Sequence, residues 1–355
     1  MRMLISYIYC NQGGVTSVVK QRMPVLLRNG WTVDMSFIYD QGGTNELLSA
    51  GVNKINICGN DLAENVKSLL KTNKYEFHIN FDTPALLHAV SKTRTIKQVF
   101  EIHTPILNTI RSYSSSVLEK YDSIFVPSIW SKETTLSLLP SIDPQLIRVV
   151  PNIVDRSIFS REGDCFDIPP SMLWVGKLAD YKNWEEAMQV GSAFLYQHPE
   201  WSFIAVTGGV YNEECITRML SVFIGHNQID RFRWIHNISQ KDMAKLYRGI
   251  AKNGGFLLST SKAESFCLII HEAMRCGVPV ISSPTGPIPE IIQDGVSGLL
   301  YELGNTAECL EKCNLYLNPE FRDNVISNWE QALAPYDQAA LEDLYLQEIN
   351  RVMAQ

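Results

Sequence analysis

The stretch from Ala263 to Ile281, AESFCLIIHEAMRCGVPVI, holds two glutamates, Glu264 and Glu272, eight positions apart. Helical character runs from Phe266 to Cys276, and Gly277 and Pro279 stop it. At about 100° per residue, eight steps leave the two carboxylates roughly 80° apart, on one broad side of a helix. Because Phe266 to Ile270 is apolar, Glu272 sits in an apolar neighbourhood. A buried carboxylate is costly unless it accepts hydrogen bonds. Vicinal hydroxyls, such as those of a ribose, would satisfy both of its oxygens. A solvated pair on an ordinary helix is the alternative, and the spacing alone does not separate the two.

Working outward, short apolar runs alternate with helix-period segments along the chain. The first half predicts strands at Met3–Tyr9, Thr32–Phe37, Val52–Ile57, Glu76–Asn80, Gln98–Ile102, Ser123–Val126 and Ile147–Val150. The second half predicts them at Met172–Gly176, Ser202–Thr207, Arg231–Ile235, Gly255–Ser259, Val278–Ser282 and Gly298–Tyr301. Such alternation implies parallel sheets covered on both faces. The polar, proline-bearing stretch Phe159–Ser171 reads as a linker. The expected architecture is therefore α/β, two doubly wound domains in tandem: residues 1–160, residues 161–335, and a C-terminal amphipathic helix over 336–355. Ligands of such sheets bind beyond the carboxyl ends of the strands, so the cleft between the domains is the expected site.

Composition narrows the class. The chain has 355 residues, 45% hydrophobic and 19% charged, which describes a globular protein with room for two cores. No run reaches the ~18 apolar residues of a membrane span, and the start reads as a buried strand rather than a signal peptide. Eight scattered cysteines without a C-x-x-C pair suggest reduced thiols, hence a cytoplasmic protein. The net charge of −7 divides unevenly: residues 1–150 carry 15 Lys/Arg against 12 Asp/Glu, and the rest 16 against 26. A mildly basic first half is compatible with an anionic acceptor, but an imbalance this small reads first as scatter. There is no dense basic stripe with interleaved aromatics, so nucleic acid is not an expected partner.

Three further features fall at expected strand ends. Gly13 and Gly14 lie in the turn Asn11-Gln12-Gly13-Gly14-Val15, where backbone can approach a ligand ahead of a helix N-terminus. The turn lacks the dinucleotide spacing G-x-G-x-x-G, and a Gly-Gly pair by itself is more often a plain tight turn. His103, in Glu101-Ile102-His103-Thr104-Pro105, is placed either to reach a polar substrate or to serve as a structural histidine. Lys177 and Lys182, in the loop of LWVGKLADYKN, form either a cationic cradle for a diphosphate or a solvated basic loop. The chain has no Asp-x-Asp, so lysines rather than a metal would have to neutralise phosphates.

Taken together, ESFCLIIHEAMRCGVPVISSPTGPIPEIIQDGVSGLL, LWVGKLADYKN, DSIFVPSIWSKE and IRVVPNIVDRSIF resemble the retaining, sugar-nucleotide-dependent glycosyltransferases of the GT-B architecture, family 4. The first of these looks like that family's E-x7-E signature. The resemblance implies two Rossmann-like domains facing a cleft, with the C-terminal helix crossing back to the first, acceptor-binding domain. It implies that Lys177 and Lys182 bind the donor diphosphate and that Glu264 contacts the donor sugar or its leaving phosphate. Glu272 would then bind the ribose hydroxyls. Gly14, with Gly13 beside it, would lie near the phosphates and His103 near the transferred sugar. Phe266, Cys267 and Leu268 would stand at a helix N-terminus beside the diphosphate.

The implied activity is retaining, metal-independent transfer of a hexose-type sugar from a nucleotide-sugar, UDP-linked by family frequency. The donor is a substrate, and no cofactor is implied. The acceptor would be a glycan, a lipid-linked sugar or a small molecule, in cell-surface polysaccharide or glycoconjugate synthesis. Peripheral contact with the inner membrane face is compatible with a lipid-linked acceptor, although no basic amphipathic anchor stands out. The sequence departs from the family in having Lys177 in place of arginine, Cys267 and Ile153 where glycine is usual, and Pro287 where a second glycine is typical. The Lys177 change turns a bidentate phosphate grip into a point charge. Two alternatives share the architecture: a sugar-nucleotide epimerase and a non-catalytic partner subunit.

Overall fold

The computed structural model describes residues 1–11, 13–72, 75–90, 96–209 and 212–355; Gln12, within the expected glycine turn, lies outside the described residues. The chain divides into two compact units, Met1–Ile153 with Gln338–Gln355, and Val154–Asp337.

The first unit carries seven parallel strands. They are β1 (Arg2–Asn11), β2 (Thr32–Gln41), β3 (Lys54–Ile57), β4 (Phe77–Phe81), β5 (Lys97–Glu101), β6 (Ser123–Val126) and β7 (Ile147–Val149). Their order across the sheet is β3-β2-β1-β4-β5-β6-β7. The second unit carries six: β8 (Ser171–Val175), β9 (Ser202–Thr207), β10 (Phe232–His236), β11 (Phe256–Ser259), β12 (Val280–Ser282) and β13 (Leu299–Leu300), in the order β10-β9-β8-β11-β12-β13. Every pairing between these strands is parallel. Helices on both faces bury central strands such as β4, β9 and β11 along their whole length, which is why they read as continuous apolar runs. In each sheet the strand order reverses once, between β1 and β4 and between β8 and β11. Loops leaving those strands flank the crevice where doubly wound sheets hold ligands.

The sequence reading and the structure differ in three places. The stretch Phe159–Ser171 lies within the second unit, which begins at Val154, rather than between the units: Phe159 is buried and Ile168 packs against that unit's core, while the polar residues between them are mostly exposed. The helix expected over Phe266–Cys276 runs only from Leu268 to Arg275, so Glu272 stands just over one turn from its start. Strands β1 and β2 also run past their expected ends and stay paired out to Asn11 and Gln41, whereas β4 leaves β1 at Ser6. Their last residues therefore form a two-stranded ribbon.

The C-terminal helix, Gln338–Ala354, belongs to the first unit and buries Leu341, Tyr345, Ile349 and Val352. Its Glu342 pairs with Arg28. No helix among the described residues is long and apolar enough to cross a membrane, and all eight cysteines are free thiols.

Candidate functional site

In the second unit the site grows from the two loops beside the strand-order reversal. After β8 the chain passes Gly176 and Lys177 and makes a short turn, Asp180–Lys182, before the helix Trp184–Gln197. After β11 it passes Thr260 to Glu264 and reaches the helix Leu268–Arg275. The Thr260 hydroxyl ties the loops together. It accepts from Trp174 Nε1 at 3.3 Å and lies within donating distance of the carbonyls of Lys182, 3.0 Å, and Asn183, 2.9 Å. The Lys262 N–H donates to the Tyr181 carbonyl at 2.7 Å. The Ser283 hydroxyl, after β12, donates to the Ser261 carbonyl at 2.6 Å.

These ties bring the predicted charges together. Lys182 Nζ donates to Glu264 Oε1 at 2.6 Å, and both side chains are largely buried. Burial disfavours the Lys182 ammonium, but the Glu264 carboxylate outweighs it and holds the lysine above its ordinary pKa. Lys177 is pushed the other way, first by burial and then by the neighbouring Lys182 charge. Two cationic heads thus lie within electrostatic reach of each other, and one of them is paired with the Glu264 carboxylate. A site that raises the cost of a second lysine's charge favours an anion that would relieve it.

Cys267 caps the helix with φ 64° and ψ 62°, a left-handed conformation that favours glycine. This gives the Cys267 departure a physical meaning. The Phe266 ring turns inward, stacked on His271 with ring centroids 4.3 Å apart, so at this position only backbone is offered toward the helix start. Leu268 opens the helix, and Glu272 is 7% exposed within it. Gly286, at φ +62°, approaches the Glu264 backbone so closely that a Cβ would lie 2.2 Å from its carbonyl oxygen. The Gly/Pro block after β12 therefore buttresses Glu264, a role the sequence reading missed.

In the first unit, Gly13 is the extended residue ahead of the helix Gly14–Arg28, and a Cβ on Gly14 would meet nothing within 4 Å. His103 follows β5. Its Nε2 lies 2.9 Å from Glu101 Oε2, and Arg22 Nη1 donates to both Glu101 oxygens at 2.8 Å. Arg22 and Glu101 are fully buried, with the Arg22 guanidinium 4.4 Å from the Tyr345 ring centroid. Burial alone would raise the Glu101 pKa, but Arg22 and His103 lower it.

Asp82, just beyond β4, has φ 38° and accepts from the His103 N–H at 2.7 Å and the Tyr113 hydroxyl at 2.9 Å. Burial drives its carboxyl up to about 6 against those partners. Arg22, Glu101 and Asp82 were not read as site residues. One signal was present, since Arg22 continues the helical stripe of Val15, Val18 and Val19 into the core.

Two doubly wound units in tandem, each with a single strand-order reversal, define a framework of the GT-B kind. A family model for glycosyl transferases group 1 matches residues 156–332, about half of the chain, and the chain belongs to that family. Among curated proteins it is similar to a component of the human phosphatidylinositol N-acetylglucosaminyltransferase, 26% identical over 73% of this chain and 55% of that protein. It is also similar to the D-inositol 3-phosphate glycosyltransferase of Acidothermus cellulolyticus, 25% identical over 57% of this chain and 47% of that one. The chain spans about half the length of these curated relatives. Among solved structures, HepE of Anabaena in complex with UDP and glucose superposes with a TM-score of 0.84, covering 99% of this chain and 100% of that one at 15% identity. That likeness establishes the fold.

Proposed function

We propose that the protein is a retaining glycosyltransferase that moves a hexose-type sugar from a UDP-sugar to a hydroxyl of a glycan, a lipid-linked sugar or a small molecule. The observation that carries the reading is the Lys177, Lys182 and Glu264 cluster beside the strand-order reversal and ahead of the helix at Leu268. Transfer from a nucleotide-sugar develops positive charge at the sugar and negative charge on the departing diphosphate. Lys177 and Lys182 stabilise that leaving group electrostatically, without a metal, and the helix N-terminus adds to their effect. Glu264, steadied by Lys182 and Gly286, faces the sugar-phosphate end, and Glu272 takes the ribose hydroxyls. Gly13 and Gly14 lie near the phosphates and His103 near the transferred sugar. As the family resemblance implies, the departing phosphate accepts the acceptor's proton in a same-face displacement. HepE of Anabaena, similar in fold and solved in complex with UDP and with UDP-glucose, supports a uridine donor.

Thermal melts with UDP, GDP and ADP, followed by UDP-sugars, test the donor. Ligand that binds only the folded state raises the melting temperature by mass action, and UDP should give the largest shift. The shift should shrink in Glu272→Ala. Equal shifts for the three nucleotides would remove the uridine assignment. Incubation with radiolabelled UDP-sugars separates transfer or donor hydrolysis from epimerisation, and inactivity with every donor would favour a non-catalytic partner. A trapped glycosyl-enzyme adduct would overturn the same-face mechanism.

A further inference from the structure

His103 is held at three points. Its backbone N–H donates to Asp82 at 2.7 Å, its ring lies 5.0 Å from the Phe81 ring, and its Nε2 lies 2.9 Å from Glu101 Oε2. Asp82 is itself steadied by the Tyr113 hydroxyl at 2.9 Å. Only 8% of the His103 side chain is exposed, and none of the Glu101 side chain, so water competes little for their contact. An imidazole fixed by backbone, ring face and ring nitrogen keeps one orientation, and the partner of that nitrogen also settles its tautomer.

The Arg22–Glu101 pair decides where the imidazole proton sits. Arg22 Nη1 donates to both Glu101 oxygens at 2.8 Å, and Arg22 is only 2% exposed. A guanidinium stays charged, and leaving it buried without a counter-charge is strongly destabilising. Glu101 is therefore ionised. Its pKa agrees, because burial would raise it and Arg22 with His103 more than offset that. An ionised carboxylate only accepts hydrogen bonds, so Nε2 is the donor, and in the neutral ring the lone pair falls to Nδ1. The far side of Arg22 is covered by Tyr345 of the C-terminal helix, whose ring centroid lies 4.4 Å from the guanidinium.

We propose that Arg22 and Glu101 are positioning residues that fix His103 as the Nε2–H tautomer, so that its ring accepts or releases a proton only at Nδ1. A hydrogen bond between the neutral ring and the transferred sugar is then donated by a sugar hydroxyl and accepted by Nδ1. That the hydroxyl belongs to the transferred sugar rests on the transferase reading above; the tautomer does not.

Heteronuclear NMR of the full chain, isotope-labelled at the histidine ring nitrogens, tests the assignment. Comparison with His103→Gln picks out the His103 signals among the seven histidines. Without nucleotide, Nε2 should show the chemical shift of a protonated, pyrrole-type nitrogen; a pyridine-type Nε2 overturns the proposal. In Glu101→Gln the side-chain amide offers a donor as well as an acceptor, so the Nε2 signal should move toward the pyridine-type position. Arg22→Lys keeps a charge beside Glu101 and should hold that signal where the parent has it. A Glu101→Gln signal identical with the parent's would mean that Glu101 packs against the ring without fixing its proton, and would sink the positioning role. Should that variant not fold, the parent spectrum still decides between the tautomers. UDP-glucose should shift the Nδ1 signal and UDP alone should not; if UDP-glucose binds and Nδ1 does not respond, the histidine is merely structural. A parent with Nε2 protonated that gives no melting shift with any nucleotide would refute the donor reading while the tautomer stands.

Discussion

The two units share one topology and place different chemistry at its reversal point. In the second, the loops after β8 and β11 are tied by Thr260 and carry two lysines against one glutamate. In the first, the corresponding strands β1 and β4 are followed by a different set, and a fully buried guanidinium–carboxylate pair, Arg22 with Glu101, stands beside His103. A parallel sheet supplies the position of a site but not its charge. That is set by the few residues just past the strand ends, where backbone hydrogen bonding no longer constrains side-chain type.

The largest effect expected is on the stability of the first unit. Arg22→Met leaves Glu101 buried with only His103 beside it, and should cost about 3–5 kcal/mol in denaturant unfolding. Adding Glu101→Gln should recover a large part of that loss. A single variant as stable as the parent would show that the pair is not the first unit's anchor. In the second unit, Lys177→Ala should lower turnover about 100- to 1,000-fold, as loss of a transition-state charge partner does, with little change in melting temperature. Lys182→Ala should match it in turnover but also destabilise the unit by about 1–3 kcal/mol, because Glu264 loses its buried partner. Equal stability of the two variants would break the distinction between them.

A smaller effect is expected at Gly286. Alanine there meets the Glu264 carbonyl and a positive φ, so Gly286→Ala should cost about 1–3 kcal/mol and weaken donor binding. Unchanged nucleotide shifts would remove the buttress. The smallest is a pH slope in the second unit. His271 is fully buried, and burial, then Arg275, lowers its pKa to about 3. Its unfolded form binds a proton near the ordinary histidine value, so stability is complete above about pH 6.5 and falls as pH drops toward 3. The slope is at most about 1.4 kcal/mol per pH unit. His271→Phe should flatten it over that window in pH-dependent urea unfolding; an unchanged slope would assign the acid sensitivity elsewhere.

The alternation of strands and helices and the Glu264, Lys177 and Lys182 set were legible in the sequence, because hydrophobic period and loop position are local properties. All thirteen strands appear where the apolar runs place them, within a few residues. Less legible was what holds the site. Thr260 and Gly286 act through backbone groups distant in sequence, and no local pattern marks such contacts. The displaced linker has the same cause: Phe159 is buried only because a later core receives it.

By itself, then, the sequence determined the α/β class, the restart of the pattern in a second half, and the motifs around the glutamates and lysines that resemble the family's. Tertiary structure alone decided that Lys182 rather than Lys177 pairs with Glu264. It also decided that Cys267 must sit in a left-handed cap, that Arg22 lies buried against Glu101, and that β1 and β2 outrun their neighbours to expose Tyr9 and Tyr39. The physical reason is one of range. Burial periodicity acts within a few residues, whereas ion pairing, backbone strain and strand register depend on which distant segments the folded chain brings together.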